Sequence, residues 1–477
     1  MPRDPLSIAT ILGFTGVLLL VLVYSIINNV VIFPFFLVVA TMGTVFFMFY
    51  PRISIMLLLA GRLVLDLFHW IPFRIGPLNL LSAFTGGATV LCLILIFRYL
   101  KGHISRHECF KELVVWIVLI MVAIPRASNT GIALNETFRA LSPVLFLFLI
   151  STLLNRVGDA ERLLKVVVLT GMIPMTVSLY HWQSGQMSDI SLHGLQRLLG
   201  GYKNLRHHAL IMMILSGTGL YYALTAKKFG WKAFWYGYTG LAGTFMFLTQ
   251  IRTCVIVTVV YLAIFCWLTG RRQMLIVGFL LGLLVVASSE VLQNRFSDLI
   301  LIFTLSSETD SAQLGRIGSG RYGMWTKSWE AYSQYPIHER LIGLGFGQHY
   351  ELIKASFFAF DEGSDRILDT HNDSLRTLYN MGPIAFYVYL SMALKCILTG
   401  LNLAKEAHTK NRRELASVVT CLMIGLLLNN TLSNGTLSRT TIGWVFWAYG
   451  GLLFAMKREE KQLVSRKQQQ ESNVRSA

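Results

Sequence analysis

Apolar residues recur along this chain in runs of about 17 to 22, divided by short polar connectors. A run of that length can cross a hydrocarbon layer of about 30 Å as a helix. The pattern predicts spans at 6–27, 30–50, 53–70, 77–97, 112–125, 141–154, 164–182, 207–226, 231–250, 252–269, 274–290, 382–400, 415–432 and 440–456, with 112–125 and 141–154 the short ones. The expected fold is therefore all-α, a polytopic integral membrane protein of 12–14 transmembrane helices. One long polar interval, 291–381, breaks the rhythm, and a shorter one lies at 183–206. The organisation expected is an N-terminal group of membrane helices over 1–182, a second membrane region over 183–456 that carries the large loop 291–381 with interfacial helices, and a tail at 457–477. The opening "MPRDP" is followed by an apolar run too long for a signal-peptide core, so that run reads as a true span.

Composition sharpens this picture. Of 477 residues, 54% are hydrophobic and 14% charged, and the net charge is +17. In a soluble protein such a charge would point to nucleic acid, but here the cations sit in connectors and no nucleic-acid partner is expected. With the N-terminus inside, the predicted spans put "RYLKGHISRHECFK", "NRVGDAERLLK", "AKKFGWK", "GRR", "AKEAHTKNRRE" and the tail "KREEKQLVSRKQQQ" on the cytoplasmic side, as the positive-inside rule requires. Residues 183–206 and 291–381 then lie outside, and Arg252 opens a span at its outer end. The tail reads as a solvated end with no fold of its own. The six cysteines form no CxxC pair and suggest neither a disulfide framework nor a zinc site.

Four stretches on the predicted outer side carry candidate chemistry. In "FLTQIRTCVIV", Arg252 begins an inward-running helix, where free N–H groups and the positive dipole end favour an anion. In "RIGSGRYGMWTKSWEAYSQYP", Arg321 starts a helical stretch whose Trp325, Trp329 and Tyr332 suit a helix lying flat at headgroup depth. "LIGLGFGQHYE", with Gly343, Gly345 and Gly347, reads as a tight turn and no nucleotide site. Finally "DTHNDSLRTLYNMG" matches a capping box, with Thr370 as cap and Asp373 reaching back, so that a helix would start at His371. A histidine in a first turn feels the helix dipole and stays neutral, able to accept a proton. Asp369, His371 and Asp373 could also form a metal site, but the cap already uses Asp373 and no second histidine has ligand spacing, so no metal or other cofactor is expected.

Two arginines and one histidine so placed resemble the O-antigen ligase and O-antigen polymerase superfamily. Its ligases carry His, then Asn, Ser or Gln, nine residues, Gly, two residues, then Gly, Thr or Tyr. His371-Asn372, nine residues and Gly382 follow that motif here, and the last position holds Ala385. "RLLGGYKNLRHHALIMM", residues 197–213, resembles the family's Arg, Gly, Asn, Ala approach to a span.

The resemblance implies a bacterial inner-membrane enzyme with its site facing the periplasm. It would move a glycan from an undecaprenyl diphosphate carrier to a hydroxyl on lipid A-core or on a growing glycan, among membrane lipids, without a metal and with inversion. His371, Arg321 and Arg252 are then the expected catalytic residues, with Arg197, Arg206, Asn372 and Asp369 as substrate contacts. The motif favours a ligase over a polymerase. A flippase for lipid-linked oligosaccharides is the alternative of another class, but it would carry charges deep in several helices. Only Arg62, Asp66 and Lys395 are clearly intramembrane, and Arg62 and Asp66, four apart, are expected to pair with each other.

Overall fold

The computed structural model describes residues 47, 49–71, 74–75, 78–99, 107–154, 158–186, 197–274, 276, 321–357 and 370–476. The predicted spans 6–27 and, save for a few residues, 30–50 and 274–290 lie outside them. The chain forms α1 (Pro51–Leu65), a 3-10 turn, a two-residue antiparallel ladder of β1 (Arg74–Ile75) and β2 (Leu78–Asn79), then α2 (Leu80–Tyr99), α3 (Phe110–Ala123), α4 (Thr130–Leu153) and α5 (Asp159–Gln183). It continues through α6 (Leu205–Thr225), α7 (Phe229–Leu248), α8 (Arg252–Leu268), α9 (Arg321–Ser333), α10 (Ile337–Ile342), α11 (Gln348–Phe357), α12 (Asp373–Glu406), α13 (Lys410–Leu432) and α14 (Thr440–Ser476). The protein is all-α apart from the small ladder, and among the described residues α2, α4, α5, α6, α12 and α13 are long and apolar enough to cross a membrane. It is a multi-pass membrane protein.

Caps set several helix starts: Asn129 accepts from Ile132 N, Asn204 from Arg206 N, and Thr409 from Arg412 N. Each satisfies an N–H that the first turn leaves without a helical partner. Helix α6 is buried on nearly every side and lies against α7, while α14 lies against α4 and α12 against α13. A helix buried on nearly every side belongs in the interior, so α6 lies within the bundle.

Side-chain contacts fix the two ends of the bundle. At one end Asp66 follows α1, Tyr202 precedes α6 and donates to Leu63 O, and Leu198 N donates to Leu248 O at the close of α7. The starts of α6, α8, α12 and α14 gather there. At the other end Arg52 Nε donates to Leu153 O, Tyr221 to Glu161, and Arg271 to Glu414. The connectors "AKKFGWK", "GRR" and "AKEAHTKNRRE" meet at this second, basic end.

Four expectations need correction. The span expected at 141–154 is the second half of α4, a 24-residue helix that tolerates Pro143 inside it. The tail is no featureless end: α14 continues to Ser476, because Lys, Arg, Glu and Gln are good helix formers and no Gly or Pro intervenes. The aromatic stripe of α9 does not form one exposed face. The buried face is Met324, Ser328 and Tyr332, Trp325 Nε1 donates to Thr370 O at 2.7 Å, and Trp329 alone of the stripe is half exposed.

The capping box is the fourth. Asn372 is the cap of α12, its Oδ1 accepting from Ser374 N at 2.9 Å and Leu375 N at 3.1 Å, so the helix begins at Asp373 and His371 lies before it. Asp373 does not reach back. Its carboxylate accepts from Gly435 N at 2.7 Å, Leu437 N at 2.9 Å and Ser438 N at 3.2 Å, and from the Ser438 hydroxyl. Four donors in the α13–α14 connector outcompete one local N–H for a buried carboxylate.

Candidate active site

Helix α12 breaks at Gly382, whose φ of +81° only glycine adopts readily, and Pro383 follows. Proline has no N–H for Tyr379 O, and the break frees Asn380 O as well. The turn through Gly343 and Gly345 supplies both: Leu344 N donates to Tyr379 O at 2.7 Å and Gly345 N to Asn380 O at 3.0 Å. The same turn is tied to the α3–α4 connector, where Arg126 donates to Gly343 O and Ser128 N to Phe346 O. Beneath it Arg376 of α12 meets Glu136 of α4 at 2.5 Å, and His349 Nδ1 lies 2.9 Å from Asn380 Oδ1. The turn read from the glycines is thus a brace that sets where α12 starts.

His371 stands at that start with φ +50°, a left-handed conformation that a non-glycine residue keeps only where its surroundings enforce it. Two neighbours do so. Trp325 of α9 holds Thr370 O before it, and Asn372 after it caps α12 through Oδ1 while its Nδ2 donates to Thr431 O at 2.8 Å. Both ends of the Asn372 amide are used in placing the histidine.

The ring meets one cation directly, and two more begin neighbouring helices. Arg206, in the first turn of α6, brings Nη1 to 2.8 Å from His371 Nδ1. Arg321 begins α9, and its Nη1 donates to Leu432 O at 3.0 Å. Arg252 is the first residue of α8, after an Ile251 that offers no side-chain cap. Burial first, and then the Arg252 cation, hold the Arg321 guanidinium below its usual value, and Arg206 and Arg321 both act electrostatically on Cys254. The structure therefore brings Arg206, Arg252, Arg321 and His371 together at the helix starts of one end of the bundle. Arg197 joins them by no hydrogen bond, and its Nε is buried without a partner among the described residues. Asp369 lies outside the described residues.

Asn434 was missed by the sequence reading. Its Nδ2 lies 3.5 Å from His371 Nδ1, on the connector that Asp373 clamps. The available signal was the polar run "NNTLSNGTLS" between two apolar helices, where Gly435 admits no side chain because a Cβ would meet Asn430 Oδ1. Beside the site, Asp66 pairs with Arg62 at 3.2 Å as expected from their spacing, and it also holds His207 at 3.0 Å and the Thr441 hydroxyl. Among the described residues no three His, Cys, Asp or Glu side chains gather as a metal group.

A multi-pass helical bundle thus carries several guanidinium groups and an imidazole at the starts of its helices, an arrangement chemically suited to an anion. Residues 237–390 match the family model for O-antigen ligases, a stretch that contains Arg252, Arg321 and His371. That match bears out the superfamily resemblance over this stretch and supports a membrane glycosyltransferase of O-antigen ligase or polymerase type. No curated protein matches it. Arg206 and Asn434, which touch His371, fall outside the matched stretch.

Proposed function

We propose that this protein transfers a glycan from an undecaprenyl diphosphate carrier to a hydroxyl of lipid A-core, as an O-antigen ligase of the bacterial inner membrane working on the periplasmic face. The reading rests on one observation: Arg252, Arg321 and Arg206 converge with His371 at the ends of helices. A carrier lipid keeps its tail in hydrocarbon and its diphosphate at headgroup depth, so a site at helix ends meets the reacting bond without extracting the lipid.

The chemistry needs little beyond charge and a base. A sugar diphosphate already has a good leaving group, and the forked guanidinium groups of Arg252 and Arg321 stabilise the charge that gathers on its oxygens. His371 takes the proton of the acceptor hydroxyl. Direct attack on the anomeric carbon inverts its configuration, and guanidinium groups carry the charge stabilisation that a metal would otherwise supply. The region 183–456 is the transfer domain in this scheme, with the helices before it as scaffold and 457–477 in the cytoplasm. Glycan analysis of a deletion strain tests it. Loss of polymer from lipid A-core, with carrier-linked chains accumulating, is the expected result; single repeat units left on the core would mean a polymerase, and an unchanged glycan profile would overturn both.

A further inference from the structure

We propose that Arg206 gates His371: it covers the ring's only lone pair until a diphosphate draws it away, so that the base is available only when the donor is bound. The proposal rests on the reading of the site as one for a polyprenyl diphosphate. A guanidinium has N–H donors and no acceptor, so the 2.8 Å contact between Arg206 Nη1 and His371 Nδ1 has one polarity. Nδ1 accepts. The ring must then be neutral with its proton on Nε2, and the lone pair that would take a proton from a hydroxyl is occupied.

Either the ring or the arginine must move before His371 can act. The ring is held by a left-handed backbone, by Trp325 on Thr370 O and by the Asn372 cap. Arg206 is a long side chain on the first turn of α6, next to the other cations. Charge-assisted, forked pairing with a phosphate is roughly twice as strong as a hydrogen bond to a neutral acceptor, so a diphosphate competes for Arg206 and the imidazole loses. The step that follows balances. The acceptor O–H bond breaks and its proton goes to Nδ1, giving an imidazolium with both nitrogens protonated. The oxygen bonds to the anomeric carbon, and the bond from that carbon to the phosphate oxygen breaks with its electron pair leaving on the diphosphate. Water then takes the extra proton from the ring. Without donor, a stray hydroxyl in the cleft meets a ring that cannot accept.

The test uses the full chain in nanodiscs with 15N-labelled histidine, His371 being assigned by the signal lost in His371→Gln. Undecaprenyl diphosphate is the probe, and its binding is measured in parallel by retention of radiolabelled lipid. In the wild type, Nδ1 should read as a strongly hydrogen-bonded acceptor without lipid and shift towards a free lone pair once lipid draws Arg206 away, the 3.5 Å Asn434 contact being the weaker of the two. Arg206→Ala should show from the start the weakened state, in which the longer 3.5 Å contact from Asn434 Nδ2 is what remains of these two on Nδ1, with the donor KM raised about tenfold and kcat within about threefold of wild type. Lipid that binds while Nδ1 stays unmoved overturns the gate and leaves the proposed function standing, as does a collapse of kcat at unchanged KM. Lipid that does not bind overturns the donor assignment and the gate with it. The wild-type spectra decide the question even if the alanine variant fails to fold.

Discussion

The two ends of the bundle both carry many cations, and they use them differently. At the basic end the charges close on carboxylates: Arg271 on Glu414 at 2.7 Å, Lys457 on Glu108 at 2.7 Å, Lys395 on Glu112 at 2.6 Å, and Arg412 on both Glu459 and Glu460. These pairs staple connectors to helix ends. At the site end Arg321 donates to a carbonyl and Arg206 to an imidazole, while nearby acids are occupied elsewhere, Asp373 by backbone N–H groups and Glu136 by Arg376 and Arg139. A guanidinium held by a neutral acceptor is oriented without being neutralised, and that is what an anion site requires. Both ends have cations that close on carboxylates, Arg62, Arg139 and Arg376 doing so at the site end, but only there do Arg206 and Arg321 also donate to an imidazole and a carbonyl.

The largest test of this contrast is His371→Ala. Transfer by the purified enzyme should be abolished while carrier-lipid binding is not weakened, because the ring acts on the acceptor hydroxyl and its loss only releases Arg206 to the phosphates. Activity retained in this variant would reduce His371 to a structural residue. EDTA should leave the wild type unaffected, and inhibition reversed by added metal would move the chemistry to metal ligands. Next come the arginines. Arg252→Ala and Arg321→Ala should each lower transfer by about 10²–10³-fold, the size of losing one preorganised charge-stabilising donor. Lysine at either position keeps the charge and loses the fork, so a partial loss is expected. Two alanine variants with full activity at normal protein levels would remove both arginines from the site.

A smaller effect separates placement from chemistry. Asp373→Asn keeps the shape of the side chain but replaces one acceptor oxygen with an amide donor that faces N–H groups. The mismatch should cost about 1–3 kcal/mol of stability, seen as a lower Tm, and should reduce transfer through the displaced connector that carries Asn434. An unchanged Tm would mean that the clamp on residues 435–438 does not hold the connector.

How much of this could be read from sequence follows the range of the interactions. The helices were legible because a lipid environment forces long apolar runs into backbone-satisfied helices, and Arg62 and Asp66 were legible because they are four apart on one helix. Arg252, Arg321 and His371 were singled out one by one by local context. Their meeting was carried by resemblance. What local pattern could not supply was the competition between near and far partners. Thr370-His371-Asn372-Asp373 fits two different caps, and the winner is decided by Ser438 and Gly435, more than 60 residues away. Arg206 and His371 are 165 residues apart, and no periodicity connects them. The face that α9 buries was likewise set by Tyr379 and Arg340, partners of Ser328 and Tyr332.

The smallest effect is expected at the basic end. Arg412 Nη1 and Nη2 reach Glu460 and Glu459, joining the start of α13 to the extension of α14, and the guanidinium is largely but not wholly buried. Arg412→Ala should lower stability by about 1 kcal/mol, the scale of a partly solvated ion pair, and leave the transfer rate unchanged. The same pair of ends can be told apart by labelling. All six native cysteines are buried, so a single introduced cysteine dominates the signal. In intact spheroplasts, Trp329→Cys on α9 should react with an impermeant maleimide, whereas Lys410→Cys at the start of α13 should react only after lysis. Labelling of the second without the first would invert the orientation and place the arginine–histidine cleft in the cytoplasm. Equal transfer by Arg412→Ala and Arg321→Ala would be the more damaging result, since it would mean that a cation held by a carbonyl and one closed on carboxylates contribute alike, and the distinction between the two ends would carry no chemistry.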